Sequence, residues 1–184
     1  MNAIHRVLSS THLNEGQKLA VHYFVVSLVL LGAQIVFGLI AGLQYLHPDT
    51  LYGKLDFNVN RMVHINAMVV WMLYGFIGTV YWLLEEESEH PVVGLGIGKL
   101  FFWILTVAVG IVVVVYLLVQ VGPGEESTLW LINEGREYLE APRWADIGIV
   151  LSVLVFFFNV AGTFAKGRYT GIGGVLVVDL VALF

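Results

Sequence analysis

Four apolar runs constrain this chain more than any other feature: about Leu19–Leu46, Val59–Leu84, Leu100–Val121 and Ile147–Ala165. Each reaches or approaches the ~20 residues that a helix needs to cross a hydrocarbon layer about 30 Å thick. No water is present there to pair with backbone N–H and C=O groups, so a spanning segment must satisfy them internally as a helix. The chain is therefore expected to be an all-α integral membrane protein. Composition agrees, with 58% hydrophobic and only 12% charged residues, against roughly 25% charged in ordinary globular domains. A fifth apolar run starts near Gly171 and reaches Phe184 after 14 residues, too few to cross. The expected architecture is thus four complete transmembrane helices plus the start of a fifth, a truncated chain or one piece of a larger helical assembly. Residues 1–18 form an N-terminal tail, residues 19–184 the membrane domain, and residues 122–145 a long loop.

Charge and cysteine usage exclude several classes. A net charge of −5 without a basic stripe does not suit nucleic acid. With no cysteine, any metal or cofactor must be held by histidine, carboxylate, backbone or non-covalent contacts. The start, "MNAIHRVLSSTHLNEGQK", is polar and mixed, unlike a signal peptide. With a cytoplasmic N-terminus, that side holds Arg6, Lys18, Lys99, Lys166 and Arg168, and the other Lys54, Arg61, Arg136 and Arg143. This small excess points to an inside N-terminus. Gly38 and Gly42 form a GxxxG step suited to close helix packing. "GLGIGK", residues 94–99, lacks both the Lys-Ser/Thr ending and the preceding strand of a phosphate loop.

The second run opens with "RMVHINAMVVW", residues 61–71, which places ionisable groups where they are expensive. Arg61, His64, Met68, Trp71, Gly75, Gly78 and Trp82 recur at spacings of three or four and so share one helix face. A histidine there can ligate iron through an imidazole nitrogen. Glycines leave room for a flat macrocycle, and an arginine one turn earlier suits haem propionates. His64 lies roughly 8 Å into the span at the helical rise, which would set such a haem near one membrane face. The plainer account has Arg61 snorkelling to the interface and His64 hydrogen-bonding to a neighbouring helix. Of the six histidines, His22 sits near the start of the first run, and His5, His12, His47 and His90 in tails or loops. A second axial ligand would have to come from elsewhere.

The loop "GPGEESTLWLINEGREYLEAPRWA" has 24 residues with five glutamates and two arginines. Glu134, Glu137 and Glu140 would line up on a short helix, where carboxylates can hold a hard cation or pass protons. A solvated acidic face is the ordinary alternative.

Together, "FNVNRMVHINAMVVWMLYGFIGTVYWLLEEES" and "NEGREYLEAP" resemble the large subunit of cytochrome c-dependent nitric oxide reductase, in the haem–copper oxidase superfamily. "VFGLIAGLQYL" and "FNVAGTFAKGR" fit as well, so the likeness runs from about residue 19 to 170. It implies the N-terminal portion of a haem–copper oxidase-type bundle. In it, His64 is one axial ligand of low-spin haem b, Glu137 binds a calcium that bridges haem propionates, and Glu140 stands at a proton entrance. Arg61 and Arg136 are candidate propionate partners. The whole enzyme would reduce two NO to N2O and water with electrons from a membrane-anchored cytochrome c subunit, in a bacterial cytoplasmic membrane. Its high-spin haem b and non-haem iron take their ligands from spans beyond this chain, so no catalytic residue is expected here. The short tail before the first span favours the cytochrome c-dependent type over its quinol-dependent relatives.

Ile65 stands where the family commonly has threonine, and "LLEEES" where it often has proline. Asp179 in the fifth run has no counterpart in this reading. Three other readings remain open: part of a C-type haem–copper oxygen reductase, a haem b electron-transfer anchor without catalysis, and a non-catalytic subunit of a split enzyme.

Overall fold

A computed structural model describes residues 12–51, 53–118 and 143–182. Its elements are α1 (Glu15–Leu46), α2 (Phe57–Ser88), α3 (Leu95–Leu118), α4 (Arg143–Lys166) and α5 (Gly171–Ala182). No strand occurs among the described residues. The first four are long and apolar enough to cross a membrane, and the chain is a multi-pass membrane protein. At 32 residues, α1 and α2 each extend about 48 Å, so their ends reach beyond the hydrocarbon.

Local chemistry sets those ends. Asn14 Oδ1 accepts from the Gln17 amide at 2.7 Å, and Gln17 Oε1 accepts from the Asn14 amide at 3.2 Å. This reciprocal capping box pairs two donors that a helix start leaves without partners. It starts α1 one turn before the apolar run. Thr170 caps α5 through its Oγ1, which accepts from the Gly173 amide at 3.1 Å. Gly94 (φ +73°) occupies the left-handed region just before α3, a conformation that glycine adopts without penalty.

The helices divide into two compact units, each with its own core. One comprises Met1–Val26, Tyr74–Trp103 and Ser152–Phe184. Its centre is aromatic: Tyr23 packs 5.3 Å from Tyr74, 5.8 Å from Tyr81 and 4.8 Å from Phe102, and Tyr81 packs 5.3 Å from Phe156. The acidic end of α2 is tied down here. Glu85 Oε1 accepts from the amides of Gly16 (3.1 Å) and Val92 (3.2 Å), and Glu86 accepts from Gln17 Nε2 at 2.7 Å. These bonds extend α2 past Leu84, where the apolar run stops.

The second unit comprises Ser27–Leu73 and Ile104–Leu151. Met62, Val63, Val112, Tyr116 and Ala145 form its core, with Phe37, Val59 and Trp144 against it. An apolar cavity of about 50 Å³ lies beside Val63, Ala67 and Val112. The connection between α1 and α2 is held from inside: Gln44 Nε2 donates to the carbonyls of Leu55 (2.6 Å) and Thr50 (3.2 Å), and Gln44 Oε1 accepts from Asn60 Nδ2 at 3.0 Å. Both side chains are buried. The Gln44 amide thereby escapes the penalty of an unbonded polar group in an apolar setting, whereas Asn60 Oδ1 is buried without a hydrogen-bond partner among the described residues.

Candidate functional site

His64 is the eighth residue of α2. The fully buried stripe of this helix is Asn60, Val63, Ala67, Tyr74, Ile77, Tyr81 and Leu84. The face carrying Arg61, His64, Met68 and Trp71 lies one residue round from it and is half-buried. The imidazole leans against α1, with its Nδ1 2.8 Å from the main-chain carbonyl of Gln34. A carbonyl only accepts, so Nδ1 carries a proton, and in the neutral ring the lone pair is then on Nε2. Trp71, two turns further along α2, donates its indole N–H to Gln34 Oε1 at 2.6 Å. Ser27 Oγ donates to the Trp71 carbonyl at 2.8 Å. Gln34 thus receives His64 on its main chain and Trp71 on its side chain.

Gly38 completes the seat. A Cβ placed there would lie 2.6 Å from His64 Cε1 and 2.7 Å from Nδ1, closer than real carbon contacts come. The GxxxG step therefore divides: Gly38 admits the imidazole, whereas Gly42 meets nothing within 4 Å. The expectation that Gly78 leaves room for a macrocycle has a different outcome. A Cβ at Gly78 would meet Phe24 at 2.9 Å and Tyr23 at 3.1 Å, so α1 fills that space.

The donor set suits an axial haem ligand. Iron-bound histidines commonly donate their other ring N–H to a backbone carbonyl or carboxylate, which fixes tautomer and orientation. His64 carries that arrangement within the apolar part of α2. Two other histidines also set Nδ1 on a backbone carbonyl, but on one close by in sequence rather than on another helix. His22 Nδ1 lies 2.8 Å from the Lys18 carbonyl one turn back, with the ring edge-on to Phe102 and Trp103. His90 Nδ1 lies 2.7 Å from the Pro91 carbonyl next to it. Among the described residues, no three His, Asp or Glu side chains gather into a metal-holding group.

Arg61 sits one turn before His64 on the same half-buried face. Arg136, Glu137 and Glu140 lie outside the described residues, as does most of the loop that carries them. Asp179 falls in α5, and its side chain is likewise outside the described set. Sequence reasoning missed Gln34, Gln44 and Asn60. Their signal was a polar amide inside an apolar run, the same kind of signal that picked out His64.

"GLGIGK" has a packing role. Tyr81 Oη donates to Asn159 Oδ1 at 2.6 Å, and Asn159 Nδ2 donates to the Val93 carbonyl at 2.7 Å. A Cβ on Gly98 would lie 2.7 Å from Asn159 Oδ1 and 2.9 Å from Tyr81 Oη, and one on Gly94 2.8 Å from Asn159 Nδ2. These glycines make room for that chain of polar groups.

Residues 18–183 match the family of cytochrome c and quinol oxidase polypeptide I. The match covers most of the chain, and the chain belongs to this family. It is 40% identical over 171 residues to a nitric oxide reductase subunit from Stutzerimonas stutzeri, an alignment covering 92% of this chain and 36% of that relative. The resemblance read from "RMVH" and "NEGREYLEAP" is borne out at this level. The chain spans about a third of the relative's length.

Proposed function

We propose that this chain is the N-terminal portion of a nitric oxide reductase catalytic subunit, with residues 19–184 contributing to its membrane domain and residues 1–18 preceding it. The carrying observation is the His64 seat: Nδ1 is committed to the Gln34 carbonyl at 2.8 Å, which leaves the Nε2 lone pair for iron. His64 is read as one axial ligand of low-spin haem b, its partner ligand coming from helices beyond this chain. Haem b supplies one-electron transfer when bound.

Arg61, and Arg136 in the loop, are read as cationic partners for haem propionates. Glu137 is read as a calcium ligand, a hard carboxylate oxygen suited to that ion. Glu140 is read as a proton-path residue. The complete oxidoreductase would carry out 2 NO + 2 H⁺ + 2 e⁻ → N2O + H2O, its electrons coming from a membrane-anchored cytochrome c subunit. High-spin haem b and non-haem iron belong to the remainder of the enzyme, and the setting is a bacterial inner membrane.

The test is to purify the complete complex containing this chain and to measure haem, non-haem iron, calcium and NO turnover. Two haems b with NO consumption are expected. Oxygen reduction without NO turnover would favour the oxygen-reductase reading instead, and a self-contained bis-histidine haem on these helices would favour the electron-transfer anchor.

A further inference from the structure

Helix geometry leaves little access to a backbone carbonyl from the side. The oxygen of residue i points towards the C-terminus and accepts from the amide of residue i+4. Side chains lean the opposite way, towards the N-terminus, and cover the turn before their own Cα. The side chain at i+4 therefore shields the carbonyl at i. For Gln34 that position is Gly38, which has no side chain to shield with. The His64 imidazole occupies the gap, its Nδ1 2.8 Å from the Gln34 oxygen and its ring where a Cβ of residue 38 would stand. Gly42, one turn further, borders open space within 4 Å, so packing of α1 in general does not account for Gly38.

The second component is the tie between Trp71 and Gln34. Its 2.6 Å bond joins α2 to α1 two turns beyond His64, and the Ser27 bond to the Trp71 carbonyl extends it by two turns of α1. In hydrocarbon no water competes for these groups. Together the bonds hold α1 in the rotation and register that keep the Gln34 carbonyl opposite His64.

Resting on the reading of His64 as a haem ligand, we propose that Gly38 and the Gln34–Trp71 pair are positioning residues. Gly38 uncovers the Gln34 carbonyl so that it fixes the tautomer and ring plane of His64, and Trp71 locks that carbonyl in place. An imidazole that donates its Nδ1 proton is a stronger donor at Nε2 and favours the oxidised metal. Loosening the seat should therefore raise the reduction potential of the low-spin haem.

The experiment uses the complete holoenzyme with Gly38→Ala, Trp71→Phe, Gly42→Ala and His64→Ala. It records low-spin haem content, its electron paramagnetic resonance and its redox titration. His64→Ala is expected to abolish the low-spin signal. Gly38→Ala should lower low-spin haem content or move its half-reduction balance by about tenfold, an upward shift of about 59 mV. Trp71→Phe should move the potential in the same direction by less, and Gly42→Ala should leave both readouts at wild type. Loss of the signal in His64→Ala together with wild-type spectra and potential in Gly38→Ala would overturn the positioning role while leaving the ligand assignment standing. An intact signal in His64→Ala would overturn the assignment itself. Should Gly38→Ala fail to assemble, Trp71→Phe decides alone, and an unchanged potential overturns the proposal.

Discussion

Both units place a glycine against a polar side chain from another helix, yet the two contacts differ in kind. At Gly98 the polar groups satisfy one another. Tyr81 donates to Asn159, Asn159 donates to the Val93 carbonyl, and both side chains are almost wholly buried, at 1% and 4% exposure. At Gly38, His64 uses one ring nitrogen on the Gln34 carbonyl and stays half-buried. Tyr81 and Asn159 pair with each other and with the backbone inside the fold, where an open polar group is expensive. On the proposed reading, His64 instead keeps Nε2 for iron.

Four substitutions test that contrast, in decreasing order of effect. His64→Ala should remove the low-spin haem entirely, read in the reduced-minus-oxidised spectrum, while the assembled protein keeps its helical circular dichroism. Asn159→Leu should do the reverse. It orphans the Tyr81 hydroxyl and the Val93 carbonyl at about 1–3 kcal/mol for each group, lowering the unfolding midpoint while the haem spectrum holds. Tyr81→Phe removes one partner of the same chain of bonds and should cost about 1 kcal/mol by the same measurement. Gly42→Ala should change stability by no more than about 0.5 kcal/mol, since its Cβ enters open space. A haem change in Asn159→Leu, or a large stability loss without haem loss in His64→Ala, would erase the distinction between the two contacts.

Much of the architecture was legible in the residues. The apolar runs identified all four spanning helices, because a bilayer leaves the backbone no other conformation. Their ends were less so. α1 begins at Glu15 through the Asn14–Gln17 box, and α2 continues to Ser88 because Glu85 and Glu86 find partners. Hydropathy counts such charges as exterior and stops before them. His64 stood out because an ionisable group in an apolar run demands a reason. The neighbouring glycine reading does not hold at Gly78, which is filled by Phe24 and Tyr23, and the glycine that accommodates the His64 ring is Gly38 on α1.

The sequence by itself determined the class of the protein, its helices, its family and the residue on which the functional reading rests. Each of these follows from local composition or from motifs contiguous in the chain. Only the tertiary structure decided which nitrogen of His64 is committed, since its partner, the Gln34 carbonyl, lies 30 residues earlier. Every residue has such a carbonyl, so no side-chain pattern marks this one. It becomes available only where two helices cross and the position one turn on carries no side chain.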